Sequence, residues 1–126
     1  MLSDKDVCAA IGVSDLAVAR KFYEEKLGLK ATMETPGGVF YKSGNSGIFI
    51  YPTQYAGTNK ATYAAWSTKD VEGTVAELKA KGIEFEHYDG MPETKLVGDV
   101  HVMGELKSAW FKDPDGNILN VVNQGF

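Results

Sequence analysis

The sequence predicts an α+β fold made of two copies of one strand–helix–strand–strand–strand module, and three observations predict it. First, Val13–Leu29 (VSDLAVARKFYEEKLGL) and Ser67–Ile83 (STKDVEGTVAELKAKGI) share one order: an apolar strand end, an Asp, an amphipathic stretch and a Gly. Second, Val39–Pro52 (VFYKSGNSGIFIYP) lies over Ala109–Val122 (AWFKDPDGNILNVV) without a gap. Each copy is a strand, a polar Gly-containing turn and a strand, the pattern of a β-hairpin. Third, one more strand candidate stands between each helix and its hairpin: LKATMET in the first half, IEFEHYD in the second.

Each element has a local reason. VCAAIGV and ATYAAWS open the two halves as apolar strands. Asp15 and Asp70 follow them at helix N-cap positions, where a carboxylate oxygen can accept from free backbone N–H groups. Leu16, Ala19, Phe22, Tyr23 and Leu27 fall on one helical face; Val71, Val75, Leu78 and Gly82 do so in the second copy. Gly28 and Gly82 stand where a left-handed C-cap costs least. The modules cover about residues 5–52 and 60–124 of a single domain, 1–126, with a linker at 53–59. The second copy carries an insertion, Gly90–Lys107, with three Gly, one Pro and no clean period. It reads either as a flap over a binding face, carrying His101 and Met103, or as a short extra hairpin.

Composition excludes several function classes. A chain of 126 residues suffices for one core, and its formal net charge of -4 lacks the dense positive field that nucleic acids or anionic membranes require. One cysteine, Cys8, forbids an internal disulfide and suits a reducing compartment. The N-terminus has no signal-peptide pattern and no apolar run reaches bilayer length, so a cytoplasmic protein is expected.

The paired modules, the VSDLAVARKFYEEKLGL segment and above all FKDPDGNIL resemble the vicinal oxygen chelate superfamily over nearly the whole chain. That superfamily includes glyoxalase I, extradiol dioxygenases, and fosfomycin and bleomycin resistance proteins. The resemblance implies eight strands packed edge to edge as one cupped mixed sheet with the helices outside, and a homodimer. It does not by itself imply a reaction. In metal-using members the ligands occupy positions that here read Cys8, Ile50, Tyr63 and Asn120. Ile50 cannot coordinate, a phenol is a rare ligand, Asn120 offers one neutral carbonyl, and a lone thiolate holds a metal poorly. No metal and no cofactor are therefore expected.

Strand alternation then outlines a binding face. Cys8, Ala10 and Gly12 share one side of the first strand; Tyr63, Ala65 and Ser67 share one side of its counterpart. In the hairpins Phe40, Ile48 and Ile50 correspond to Trp110, Ile118 and Asn120. The expected ligand-binding set is Cys8, Phe40, Ile50, Tyr63, Trp110 and Asn120, a mostly apolar surface with a few polar anchors. It suits a hydrophobic or aromatic small molecule, bound as in bleomycin-resistance-like sequestration. The alternative is a glyoxalase- or dioxygenase-type enzyme with an atypical metal site, drawing on His87 or His101, or with metal-free acid–base groups. No catalytic residue can be assigned: neither a Ser–His–Asp nor a Cys–His arrangement is placed.

Overall fold

A computed structural model describes residues 1–126. In chain order the elements are β1 (Ala9–Val13), α1 (Leu16–Lys21) continuing as a π-helical turn (Phe22–Lys26), β2 (Lys30–Thr35), β3 (Gly38–Ser43) and β4 (Ser46–Pro52). Then come β5 (Thr62–Ser67), α2 (Val71–Ala80), β6 (Phe85–Glu86), β7 (Lys95–Val97), β8 (Val100–Met103), β9 (Leu106–Lys112) and β10 (Ile118–Val122). The chain divides into two compact units, 1–59 and 60–126. The first unit runs strand–helix–three strands and the second strand–helix–five strands, β7 and β8 lying in the inserted segment, and the fold is α+β. The ten strands lie in two mixed sheets, one in each unit, of four and six strands.

In the first unit the sheet order is β1-β4-β3-β2, with β1 parallel to β4 and the rest antiparallel. Asp15 caps α1 as its position predicts, accepting from the N–H groups of Ala17 (3.0 Å) and Val18 (3.2 Å). Gly28 follows the helix at φ +72°, a conformation that costs glycine no Cβ clash. The apolar helical face comes down on Ile11, Val13, Val39, Tyr41, Ile48 and Ile50, all buried. Tyr23 stacks on Tyr41 with centroids 6.2 Å apart. The π-helical turn carries Glu24, whose Oε2 accepts from the Tyr41 hydroxyl and from Arg20 Nε, both at 2.7 Å. These two donors, Arg20 foremost, hold the Glu24 carboxyl below its usual value. Burial, and next the Glu24 carboxylate, push the Tyr41 phenol up.

In the second unit the order is β5-β10-β9-β8-β7, with β6 also on β9. Asp70 caps α2 by accepting from the Gly73 N–H at 2.9 Å. Lys107, on the same side of β9 as Ala109 and Phe111, pairs with Glu72 of α2 at 2.5 Å. The helix therefore covers the face bearing Trp66, Phe111, Leu119 and Val121. Trp66 stacks on Phe111 there at 6.5 Å.

The inserted segment is not a structureless flap. β7 and β8 form a hairpin, and β8 pairs with the first half of β9 while β6 pairs with the second half. The insertion thus prolongs the sheet, satisfying its own backbone groups by strand pairing. It also shortens the strand expected at IEFEHYD to Phe85–Glu86, because the edge of β9 is shared between two partners.

The DPDGN segment is a loop clamp. Asp113 is 5 % exposed and its Oδ1 accepts from the N–H groups of Asp115 and Asn117, each at 2.9 Å. Its Oδ2 accepts from Asn117 Nδ2 at 2.8 Å, and Asn117 is 0 % exposed. Gly116 takes φ +87° to turn the chain between them.

Two outcomes are expected. Asp113→Ala removes the acceptor of three hydrogen bonds, two of them from the buried Asn117, and should cost about 2–4 kcal/mol in urea unfolding. Glu24 has a depressed folded-state value, so its stabilisation is complete above the unfolded carboxyl's range and lost as pH falls through the folded one. The unfolding free energy should therefore drop below about pH 4.5, and Glu24→Gln should flatten that drop.

Candidate functional site

Each sheet has one face covered by its helix and one free of it, and the helix-free faces carry the candidate residues. In the first unit that face presents Ala10, Phe40, Phe49 and Tyr51, since Phe40 pairs with Phe49 and Ala10 with Phe49. Phe49 and Tyr51 stack at 6.2 Å. Beside them lies an open cleft of about 420 Å³, lined in part by Cys8, Phe40, Lys42, Ser46 and Gly47. Gly47 is required where it stands: a Cβ there would run into the Phe40 ring and the Tyr41 carbonyl. The Cys8 thiol is exposed.

Ile50 does not belong with them. It pairs with Val39 and Ile11 and is 0 % exposed beneath the helix, on the side opposite Phe40. Ile48 lies there too. The cause is the turn. The first hairpin closes at Ser43–Ser46 around the two residues Gly44 and Asn45, with Gly44 at φ +57°. The second closes at Lys112–Ile118 around five residues, 113–117. The gapless sequence overlay hides this one-residue difference in register, and a one-residue slip exchanges the faces of a strand. Phe49, not Ile50, occupies the position corresponding to Asn120.

In the second unit Trp110 and Asn120 are direct cross-strand partners on the helix-free face, and Asn120 also pairs with Ala65. Asn120 is 6 % exposed and its amide donates to Ser108 Oγ at 2.6 Å and to the Ala109 carbonyl at 3.0 Å. Both amide hydrogens are therefore used within the sheet. Tyr63 sits half-buried at an irregularity where Ile118 pairs with Thr62 and Leu119 with Ala64. Trp110 is also half-buried, and its Nε1–H donates to Thr62 Oγ1 at 3.2 Å.

His101 joins this face from β8, opposite Ser108. Its ring meets Trp110 edge-on at 5.0 Å and Tyr88 at 6.0 Å, and Tyr88 meets Trp110 at 5.5 Å. The Tyr88 N–H donates to His101 Nε2 at 3.0 Å. Met103, two residues on, is exposed near the β8–β9 turn. Tyr88 was not among the residues expected from sequence. Its only signal is that it lies two positions beyond Glu86, and the pairing of Glu86 with Trp110 becomes known only in the sheet.

His87 is engaged elsewhere. Its Nε2 lies 2.8 Å from Asp99 Oδ1, while Lys79 Nζ reaches Asp99 Oδ2 at 2.7 Å. Lys79 first, and His87 second, hold the Asp99 carboxyl below its usual value. Nowhere do three His, Cys, Asp or Glu side chains gather in a way that could hold a metal ion. With the register corrected, the positions that bind metal in the resembled superfamily hold the exposed Cys8 thiol, the Phe49 ring, the Tyr63 phenol and the neutral Asn120 amide. These residues do not fit a metal centre. No helix is long and apolar enough to cross a membrane.

Comparison with known proteins gives a consistent picture. The profile of the Glyoxalase/Bleomycin resistance protein/Dioxygenase superfamily matches residues 7–121. No curated protein matches the chain. Among solved structures, a glyoxalase family protein from Enterococcus faecalis superposes with a TM-score of 0.72 at 22% identity, covering 97% of this chain and 99% of that one. A bleomycin-binding protein complexed with bleomycin gives 0.71 at 17% identity, covering 96% and 99%. TnmS3, an antibiotic binding protein from Streptomyces sp. CB03234, gives 0.68 at 21% identity, covering 96% of each chain.

The exposed Cys8 thiol should titrate fully with Ellman's reagent in native buffer, one equivalent per chain. Titration only after denaturation would show the thiol buried and remove Cys8 from the cleft.

Proposed function

The chain belongs to the Glyoxalase/Bleomycin resistance protein/Dioxygenase superfamily, and from that premise we propose that it is a metal-independent small-molecule-binding member. Its ligand is a hydrophobic, planar aromatic compound that it sequesters; one structural neighbour is complexed with bleomycin and another is an antibiotic binding protein. The observation that carries this reading is the helix-free face of the second unit. There a half-buried indole, Trp110, is flanked by Tyr88, His101 and Thr62, with no set of metal donors beside it. A half-exposed indole leaves π-surface for a flat ligand, and stacking adds about 0.5–1.5 kcal/mol beyond burial. Tyr63 is the further proposed contact on the second unit, and Cys8 and Phe40 are the proposed contacts of the first unit's own cleft. Ile50 is not among them. A cytoplasmic homodimer completes the reading, and sedimentation velocity tests the dimer.

The two tryptophans make the binding test direct. Trp66 stacks on Phe111 on the opposite side of the sheet from Trp110, which lies on the helix-free face. An aromatic ligand should quench fluorescence in Trp66→Phe but not in Trp110→Phe. Trp110→Ala should weaken binding at least tenfold, about 1.4 kcal/mol. Affinity should survive exhaustive chelation. Loss of binding on chelator treatment, restored by a divalent metal, would overturn the metal-independent reading.

A further inference from the structure

His101 is 2 % exposed, and its two nitrogens have different fates. Nε2 accepts from the Tyr88 N–H, so it keeps its lone pair and the neutral ring carries its proton on Nδ1. Nδ1 is buried and has no hydrogen-bond partner. The neighbouring Tyr88 hydroxyl is likewise buried and without one. Two orphan polar groups on adjoining rings depart from the rule that buried donors are paired. Burial, and next the Glu86 carboxylate, push the Tyr88 phenol up. Neither atom makes a hydrogen bond within the fold.

We propose that His101 Nδ1–H and Tyr88 O–H are the polar anchor of the second unit's face, and that they hydrogen-bond carbonyl oxygen on an uncharged planar aromatic ligand, a quinone or aryl ketone. The proposal rests on the small-molecule-binding reading above and specifies its ligand class. Nδ1–H can only donate and the Tyr88 hydroxyl can donate beside it, so one acceptor atom on the ligand can meet both. The surroundings are the apolar rings of Trp110 and Tyr88, and the nearby cation, Lys112, is already paired with Glu86 at 3.2 Å. A carboxylate would be buried without a counter-charge, whereas a ring carbonyl meets donors and apolar walls together. The ligand rings lie on Trp110. Access requires the Tyr88 ring to swing aside, and Tyr88 stands in an irregular stretch between β6 and β7 that leaves it free of strand pairing.

The test uses 9-fluorenone and fluorene, which share their fused rings and differ at the carbonyl, titrated against the full chain by tryptophan fluorescence. Fluorenone should bind about tenfold tighter. Tyr88→Phe and His101→Met should each erase most of that preference, read as the ratio of the two affinities. The His101→Met side chain carries no N–H donor, and its thioether sulfur leaves only a weak acceptor for the Tyr88 N–H. Without any ligand, Tyr88→Phe should raise the melting temperature by a few degrees, because it deletes a buried hydroxyl that has no partner. Equal affinity for the two compounds in the native chain, or a lowered melting temperature in Tyr88→Phe, would overturn the anchor while leaving the binding reading intact. Absence of binding by both compounds would overturn the aromatic-ligand reading and the anchor with it.

Discussion

The number of residues in each hairpin turn is the constraint on which the rest depends. Two residues close the first hairpin and five close the second. Because side chains alternate across a strand, that difference decides which of them meet the helix and which stay free. It buries Ile48 and Ile50 under α1 and turns Phe49 and Tyr51 to the open side. In the second unit it sets Asn120 beside Trp110. Two modules of one order therefore present different chemistry.

The longer turn survives because its polar groups satisfy one another. Asp113 and Asn117 are buried yet bonded to each other and to the loop backbone. In the first unit the buried Tyr41 hydroxyl is matched by Glu24, which the π-helical turn carries and Arg20 steadies. A pairing of each buried polar group is the ordinary state of a protein interior. Against that background the Tyr88 hydroxyl and His101 Nδ1 stand out. Their lack of partners locates unspent hydrogen-bonding capacity on the face that already carries the half-buried indole.

The same physics separates the histidines. Lys79 forms an ion pair with Asp99, and His87 shares that carboxylate, a surface arrangement of small energetic consequence. His101 is enclosed by rings and holds the Tyr88 backbone. One sequence neighbourhood thus supplies a solvated pair and a buried donor, and strand pairing on β9 separates them.

The sequence by itself determined the module order, both helix starts at Asp15 and Asp70, the glycine helix ends and the two hairpins. These are set by local chemistry: a cap oxygen, a missing Cβ and a two-residue or helical period. It also placed Cys8, Phe40, Trp110 and Asn120 on helix-free faces, and the helix-facing residues of β1 and β5 opposite them. Only tertiary structure decided the side on which Ile50 lies, because register depends on how a turn closes and the gapless repeat concealed a one-residue change. Only tertiary structure turned Gly90–Lys107 into a strand pair on β9, since short strands form where a free edge offers partners. And only it joined Tyr88 to His101, because two rings 13 positions apart meet through pairings that no local pattern encodes.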